Sequence, residues 1–354
     1  MKIDYNKYVW ALSILFSFCF AVQVCYVSVT LSPRFQHRQE TIDHQLSLLA
    51  GQSWLQDGKE TYNGAFQNRV LFPLILKGAS CWKILRISQW YLILRFLSAF
   101  AMFLTVWLVL NRFVSSPRRL IIIAQGLLCY ETIFSFDHGW EHTSDFFDVI
   151  FIALFIAAGW SKSRFVMLAL VVGSSFNRES SLFGGIIWLC LYGVKTFDIG
   201  SRVKINWKEA GYGVLLSIVA LISVQLIRFA FAGKMVTTSN EFVLTRSFEN
   251  LLSELPKLNP TSWPILGVAM FLPVIIWLGS NWVRCDARGR GLILSGMLIF
   301  LITLVFGLVN ELRVFLPTIT ILTVAAVHLE NCSSFPPFQD GVSPSKTSNP
   351  IQSA

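Results

Sequence analysis

Long apolar stretches separated by short polar segments recur along the first 330 residues of the chain. A helix crosses the hydrocarbon core of a bilayer with about 20 mostly apolar residues, and we find about ten stretches of this order. Their approximate limits are residues 8–30, 88–111, 119–136, 144–160, 164–177, 180–195, 210–232, 263–280, 290–309 and 313–329. The pattern predicts an all-α polytopic membrane protein with about ten transmembrane helices in a single domain, residues 1–330.

Parts of this pattern are irregular. The fifth and sixth stretches are short and are separated by the polar segment 177–180, so they could instead form one broken helix. Residues 66–82 are apolar but contain charged residues, a proline and a glycine, which indicates an interfacial or re-entrant segment rather than a full span. The first stretch is longer than the roughly 7 to 15 apolar residues of a signal peptide, so we expect a signal-anchor helix.

The composition favours a membrane location. Hydrophobic residues make up 54% of the chain and charged residues only 14%, whereas soluble domains carry about 25% charged residues. Lys and Arg outnumber Asp and Glu by 29 to 20, which gives a net charge of +9. In a membrane protein this excess first reflects topology, so we do not expect a nucleic acid partner. The seven cysteines show neither a metal-binding spacing nor a disulfide framework.

The basic residues indicate how the helices are oriented. With the N-terminus in the cytoplasm, the short connections on that side all carry Lys or Arg, as the positive-inside rule expects. These residues are Arg112, Arg118, Arg119, Lys162, Arg164, Lys195, Arg202, Lys204, Lys208, Arg284, Arg288 and Arg290. The C-terminus then also lies in the cytoplasm, and residues 331–354, rich in Ser and Pro, are predicted to be a disordered tail.

In this orientation the unusual polar clusters fall on the outer side. They come from the long first outer loop, residues 31–87, the connection before the span 144–160, the segment 177–180 and the last outer turn. Ionisable groups at membrane depth are costly, so they indicate a functional site by default. The candidate site residues are Asp43, Asp57, Arg69, His138, Glu141, His142, Asp145, Arg178, Glu179, Glu311 and Arg313. Any one ion pair among them could equally be structural, but the convergence of four connections favours a binding site.

Residues 138–142 read His-Gly-Trp-Glu-His and match the H-x-x-E-H pattern of inverted zinc metalloproteases. That pattern needs a regular helix, so that both imidazoles face one side, whereas here Gly139 and Trp140 occupy a short loop. We therefore expect interfacial hydrogen bonding for both histidines and assign no metal ligand. A divalent metal ion held by Asp137, His138, His142 or Asp145 is an alternative.

Four short polar stretches on the outer side resemble patterns in a known superfamily. They are residues 68–73 (NRVLFP), the helix start centred on Asp145, residues 177–181 (NRESS) and residues 311–313 (ELR). With an amphipathic segment in the first outer loop and about ten spans, they resemble poorly characterised bacterial membrane proteins grouped with the GT-C superfamily of integral-membrane glycosyltransferases. The resemblance covers most of residues 1–329 as architecture, and it implies a location in the bacterial inner membrane.

The resemblance implies that a sugar passes from a polyprenyl-phosphate-linked donor to an acceptor at the outer face. It also implies a catalytic carboxylate in the first outer loop, which here is Asp43 or, as second choice, Asp57. The leaving phosphate requires cations, and Arg178 and Arg313 are suitable because a guanidinium binds two phosphate oxygens and stays charged. The sugar or acceptor pocket would be lined by His138, Glu141, His142 and Asp145.

Two other functions are compatible with the same features. A polymerase or ligase of lipid-linked polysaccharide takes the same class of donor and needs the same outer arginines. A transporter or non-enzymatic membrane subunit would tolerate a helix interruption near Asn177, but transporters usually repeat such interruptions in two related halves, and we find no internal repeat. The expected partners are a lipid-linked sugar donor and membrane lipids, and the outer loop 233–262 is predicted to be an amphipathic interfacial connector.

Overall fold

The computed structural model describes residues 5–31, 69–112, 143–194, 204–232, 275–306 and 316–333, together with 42, 43, 46, 49, 54–56 and 59–61. The predicted span 119–136 and most of the predicted span 263–280 lie outside these residues. The same holds for the outer loop 233–262 and for the tail after Ser333.

The described part of the chain is mostly helical, as the apolar pattern predicts. In chain order the helices are α1 (Tyr5–Leu31), α2 (Leu71–Ser80), α3 (Ile87–Arg112), α4 (Ser144–Trp160), α5 (Arg164–Ser175), α6 (Phe183–Trp188), α7 (Trp207–Ala232), α8 (Ala287–Phe306) and α9 (Leu316–Ser333). Residues 275–280 are also helical. Short 3-10 turns cover Glu179–Leu182 and Trp282–Arg284, and a π turn, Leu189–Gly193, follows α6.

One small antiparallel hairpin lies within residues 31–87, the segment predicted to be the first outer loop, and the apolar pattern does not predict it. Its strands are β1 (Trp54–Gln56) and β2 (Lys59–Thr61), with Leu55 opposite Glu60. Three residues per strand make this hairpin too short to be stable alone, so it is a local feature of the loop rather than a second layer of the fold.

Predicted and observed limits agree best where an apolar stretch is bounded by polar residues. The predicted span 144–160 coincides with α4, and the predicted span 164–177 is two residues longer than α5. Residues 66–82 contain α2, whose ten residues extend about 15 Å, half of the hydrocarbon thickness. α2 is therefore too short to cross a bilayer.

Helix α4 is the centre of the bundle, because it packs against α3, α5, α6 and α9. Its apolar side chains are buried along its whole length, including Val149, Ile152, Phe155 and Ile156. A helix that is apolar on nearly all sides is stable only when other apolar groups surround it, and the four neighbouring helices supply them here. The two ends of α4 are the positions at which polar side chains gather.

Two helices within the described residues are long and apolar enough to cross a membrane, over Ile87–Asn111 and Trp207–Phe231. The second of these, in α7, has two different faces. Leu216, Ala220 and Val224 are buried against the bundle, whereas Ile222 and Leu226 are 55% exposed. An exposed aliphatic stripe along a helix of this length is typical of a lipid-facing surface rather than of a water-facing one.

Helices α6 and α7 approach each other closely at glycine. A Cβ atom added to Gly185 would lie 2.6 Å from the carbonyl oxygen of Gly213, so only glycine fits there without a backbone shift. Gly193 lies against Ala210 in the same interface. Small residues allow close backbone packing between helices in lipid, where apolar side chains alone give little driving force for association.

We expect Gly185→Ala to destabilise the protein by about 1–3 kcal/mol, because the added methyl group overlaps the α7 backbone. The matched control is Gly211→Ala, since a Cβ atom there meets no atom within 4 Å. Its effect should be neutral or stabilising by up to about 1 kcal/mol, because alanine favours the helix. Thermal unfolding of the full chain in detergent measures both changes, and equal midpoints for the two variants would contradict the close α6–α7 contact.

Candidate functional site

The candidate site lies where α5 ends and the chain turns back beside the first turn of α4. The carbonyl oxygen of Ser174 accepts hydrogen bonds from the backbone N–H groups of Asn177 (2.8 Å) and Arg178 (3.0 Å), which closes the last turn of α5. Arg178 then has an extended backbone, and the 3-10 turn begins at Glu179. The fifth and sixth apolar stretches are therefore separated by a break in the α-helical conformation at residues 176–180, which we call the helix break.

Two carboxylates of α4 hold the Arg178 side chain. Asp145 and Asp148 are three residues apart in the helix, so they lie on the same face. The Nη1 atom of Arg178 donates to Asp145 Oδ1 at 2.7 Å and to Asp148 Oδ2 at 2.8 Å. Both aspartates are buried, and the arrangement joins α4 to the helix break by a charge-assisted bridge, which we call the arginine clamp.

Asp148 is the most heavily bonded group of the clamp. Its second oxygen, Oδ1, accepts from Asn177 Nδ2 at 2.8 Å and from Ser180 Oγ at 2.7 Å. Asn177 Nδ2 also donates to the backbone carbonyl of Ser144 at 2.8 Å. Since both oxygens of Asp148 are engaged by three donors of the helix break, this carboxylate is suited to holding other groups rather than to accepting a substrate proton.

Arg178 itself is only partly engaged. Its side chain is 15% exposed, and within the described part of the chain both hydrogen bonds use Nη1, which leaves Nε and Nη2 available. Burial alone would lower the pKa of the Arg178 guanidinium, but Asp148 and Asp145 outweigh this effect and raise the pKa above its usual range. Arg178 is therefore a cation held in place through Nη1, and its Nε and Nη2 atoms make no hydrogen bond to the described residues.

The start of α2 is attached to the helix break. The carbonyl oxygen of Phe176 accepts hydrogen bonds from the backbone N–H groups of Val70 (3.0 Å) and Leu71 (2.9 Å), which would otherwise be unpaired donors at the N-terminus of α2. Arg69 directly precedes these residues. The backbone of Arg69 therefore lies next to the helix break.

A third arginine, Arg95 of α3, is buried close to the first turn of α4. Its side chain is inside the bundle, with the guanidinium carbon 5.5 Å from the centre of the Phe146 ring. Phe146 lies next to Asp145 in the chain, so Arg95 and the arginine clamp share one end of α4. A buried arginine over an aromatic face is stabilised by the negative ring quadrupole.

Several buried polar atoms at this end make no hydrogen bond within the part of the chain that the structure describes. They are the hydroxyls of Thr143, Ser144 and Ser181 and the side-chain carbonyl of Asn177. Buried polar groups are normally paired, and each unpaired one is costly. Their concentration around the helix break gives the site hydrogen-bonding capacity for a polar ligand or water.

The structure brings together some of the predicted site residues. Asp145 and Arg178 are in direct contact, Glu179 follows Arg178, and Arg69 is placed beside Phe176. Asp43 is exposed and is not among the groups that contact Arg178, although its neighbour Ile42 packs with Phe72, Leu76 and Tyr91. The other predicted site residues lie outside the described residues: Asp57, His138, Glu141, His142, Glu311 and Arg313.

The predicted site did not include Asp148, Asn177 or Ser180. The sequence does contain a signal for Asp148, because the spacing Asp145-x-x-Asp148 places both carboxylates on one helix face. Within the described residues no group of three His, Cys, Asp or Glu side chains is arranged to hold a metal ion. The positive charge opposite Asp145 and Asp148 is the Arg178 guanidinium, in the place that a metal cation would otherwise take.

The opposite end of α4 carries a separate polar cluster around Glu209. This carboxylate accepts a hydrogen bond from Arg164 Nη2 at 2.9 Å and from Trp188 Nε1 at 3.1 Å, and Lys162 Nζ lies 3.2 Å from it. Tyr192 Oη donates to the carbonyl of Gly159 at 2.6 Å. These contacts tie the turn between α4 and α5 to the start of α7.

A second pair at this end is Asp286 with His328. Asp286 caps α8, because its Oδ1 accepts from the Gly289 N–H at 2.7 Å, and the same oxygen lies 2.8 Å from His328 Nε2. The rings of His328 and Trp160 are 4.7 Å apart, and Arg288 lies over the Trp160 ring. Two of the basic connections predicted to be cytoplasmic therefore lie at one end of α4, and the arginine clamp lies at the other.

We expect Asp148→Ala to destabilise the protein by about 1–3 kcal/mol, because it removes the acceptor of the Ser180 hydroxyl and one of the two acceptors of both Arg178 and Asn177. Lys208→Ala is the control: it removes an exposed charged side chain and should change stability by less than about 0.5 kcal/mol. The readout is the thermal unfolding midpoint of the full chain in detergent. If Asp148→Ala unfolds at the wild-type temperature, the clamp does not hold α4 to the helix break.

We expect the stabilisation from the Asp286 charge to depend on pH. Burial alone would raise the pKa of Asp286, but the His328 contact and the Gly289 N–H outweigh this effect and lower it. A carboxyl with a lowered pKa stabilises the fold above its ordinary pKa of about 4, and this contribution is lost as the pH falls through the lower native value.

Asp286→Asn tests this directly, since asparagine also caps helices but carries no charge. Wild type should be more stable at pH 6 by less than about 1 kcal/mol, because the side chain is half exposed. The difference between the two unfolding midpoints should shrink below pH ~4. A constant difference from pH 6 to pH 3 would contradict this assignment.

Comparisons with known proteins identified no relative of this chain. No family model, no curated protein and no solved structure matches the chain. The resemblance to GT-C enzymes therefore depends on the short sequence motifs and the predicted arrangement of spans, and function has to be argued from the geometry of the site.

Proposed function

We propose that this protein is a polytopic membrane glycosyltransferase that moves a sugar from a polyprenyl-phosphate-linked donor to an acceptor at the outer face of the membrane. One observation carries the proposal: Arg178 is fixed by Asp145 and Asp148 through one nitrogen, while Nε and Nη2 make no hydrogen bond to any residue that the structure describes, and the side chain is partly exposed. A guanidinium with two free N–H groups can bind two oxygens of a phosphate at once.

The clamp supplies what a phosphate leaving group needs. When the bond from sugar to phosphate breaks, negative charge grows on the phosphate oxygens, and a cation that is already in position stabilises it without reorganisation. Asp145 and Asp148 provide this positioning for Arg178.

The general base is proposed to come from the first outer loop, with Asp43 as first choice and Asp57 as second. Asp43 is exposed, so it can reach the hydroxyl of an acceptor and take its proton. Asp148 is unsuitable for this role because both of its oxygens already accept hydrogen bonds. The hydroxyls of Thr143, Ser144 and Ser181, which make no hydrogen bond to the described residues, are proposed to line the sugar pocket.

We propose the ten-span topology with both termini in the cytoplasm as the frame of this site. Its support is the separation of charge along α4: the basic connections at 162–164 and 284–290 lie at one end, and the arginine clamp lies at the other. The positive-inside rule puts the basic end in the cytoplasm. The clamp then faces the outer leaflet, where the lipid-linked donor would enter.

Arg178→Lys separates a catalytic role from a structural one. The lysine ammonium can still bridge Asp145 and Asp148, so we expect the unfolding midpoint to stay close to wild type. It cannot offer a second pair of N–H groups, so binding of synthetic polyprenyl phosphate should weaken by roughly tenfold to a hundredfold, the value of one charge-assisted hydrogen bond or more. Sugar transfer from a radiolabelled polyprenyl-phosphate donor should fall with it.

Arg164→Lys is the matched control, because Arg164 also binds a buried carboxylate, Glu209, but at the opposite end of α4. It should leave binding and transfer unchanged. Binding is measured as the rise in unfolding midpoint on adding polyprenyl phosphate. If Arg178→Lys binds the lipid and transfers the sugar as well as wild type does, the phosphate site is not at Arg178 and the clamp is structural only.

A further inference from the structure

The turn between α2 and α3 exposes apolar and basic side chains together. Trp82 is 70% exposed and Ile84 is 72% exposed, although both are large hydrophobic residues. Lys77, Lys83 and Arg86 are exposed around them. We call these five residues the basic-aromatic turn.

The chain around the basic-aromatic turn contains basic residues but no acidic ones. The sequence has neither Asp nor Glu between Glu60 and Glu131. Within the described residues, none of the three cations forms an ion pair. An exposed basic patch without counter-ions attracts an anionic surface or ligand.

The turn is held in a defined shape. The backbone N–H of Arg86 donates to Gln89 Oε1 at 2.9 Å, which caps α3, and the rings of Trp82 and Trp90 meet edge to face at 6.0 Å. Lys83 has a φ angle of 53°, in the left-handed region that glycine adopts more easily than any other residue. The chain therefore places a lysine at a position whose backbone conformation favours glycine.

The position of the basic-aromatic turn in the chain indicates its depth in a membrane. It directly precedes Ile87–Asn111, one of the two helices that are long and apolar enough to cross a membrane. Residues next to the end of a spanning helix lie at the level of the lipid headgroups, where tryptophan is enriched and basic side chains meet phosphates. Trp82 and Ile84 can then enter the boundary of the acyl chains while the cations stay among the headgroups.

We propose that the basic-aromatic turn is a binding surface for anionic phospholipid headgroups, with Lys77, Lys83 and Arg86 binding their phosphates. This inference rests on the proposal that the chain spans a membrane, but not on the proposal of sugar transfer. The surface anchors the C-terminal end of α2, while the N-terminal end of α2 is bonded to Phe176 at the helix break. Lipid binding therefore holds the C-terminal end of α2, the helix that follows Arg69, while backbone hydrogen bonds hold its N-terminal end.

Lys83→Gly is the sharpest variant. Glycine suits the left-handed backbone, so this change removes a charge without straining the turn. The stronger variant combines Lys77→Gln, Lys83→Gly and Arg86→Gln. The control is Lys204→Gln, which removes an exposed lysine near the cytoplasmic end of the bundle.

The experiment uses the full chain in mixed micelles titrated with phosphatidylglycerol or phosphatidylcholine, with retained lipids counted by native mass spectrometry. Wild type should prefer phosphatidylglycerol. Each cation removed from the turn should weaken this preference by about fivefold, the typical contribution of one Lys or Arg near an anionic surface. Lys204→Gln should keep the wild-type preference.

Three outcomes would overturn the proposal: no preference in wild type, an unchanged preference in the triple variant, or an equal loss in Lys204→Gln. The membrane location is tested first, before any lipid is added, by washing cell membranes with alkaline carbonate without detergent. Release of the protein by this wash would contradict the proposal that the chain spans the membrane. A lost preference in the triple variant together with absent sugar transfer in wild type would support the lipid surface and count against the enzyme.

Discussion

The buried bridge from Arg178 to Asp145 and Asp148 is the interaction on which the rest of this end of the molecule depends. A chain that leaves the helical conformation inside a bundle exposes backbone and side-chain polar groups that need partners. Asp148 gathers the three donors of the helix break, and Phe176 uses its carbonyl to pair the first N–H groups of α2. The break is stable because its polar groups are bonded to α4 on one side and to α2 on the other.

This bonding explains why α4 has to be central. A helix buried on nearly all sides can carry charge only at its ends, and α4 carries Asp145 and Asp148 in its first turns and none in its apolar interior. Aspartate near a helix N-terminus is also favoured by the helix dipole. At the other end the contacts of Lys162, Glu209 and Trp160 attach neighbouring helices to the turn after α4. The charged groups on α4 and its following turn are thus kept about 20 Å apart by a helix that rises 1.5 Å per residue.

The sequence was sufficient for those features that depend on local pattern. Limits of α4 follow from an apolar stretch that begins after Thr143 and ends at the polar turn 161–164, and the break at 177–180 follows from consecutive polar residues. The roles of Asp148 and Asn177 could not be predicted, because they arise from a contact between segments about 30 residues apart. Likewise, Gly185 matters only because Gly213 of another helix faces it, which no local pattern reveals.

The same reasoning decides which group of the clamp is suited to chemistry. A buried carboxylate whose two oxygens already accept three hydrogen bonds within the protein contributes mainly to the fold, and Asp148 is such a group. Arg178 differs because its planar fork has more donors than the two aspartates occupy, and the side chain keeps some exposure. Fixing one nitrogen lowers the entropy that the guanidinium would lose on binding an anion. An arginine held in this way is therefore both a structural bridge and a preorganised cation, and removing its charge affects both roles, whereas changing its shape affects only the second.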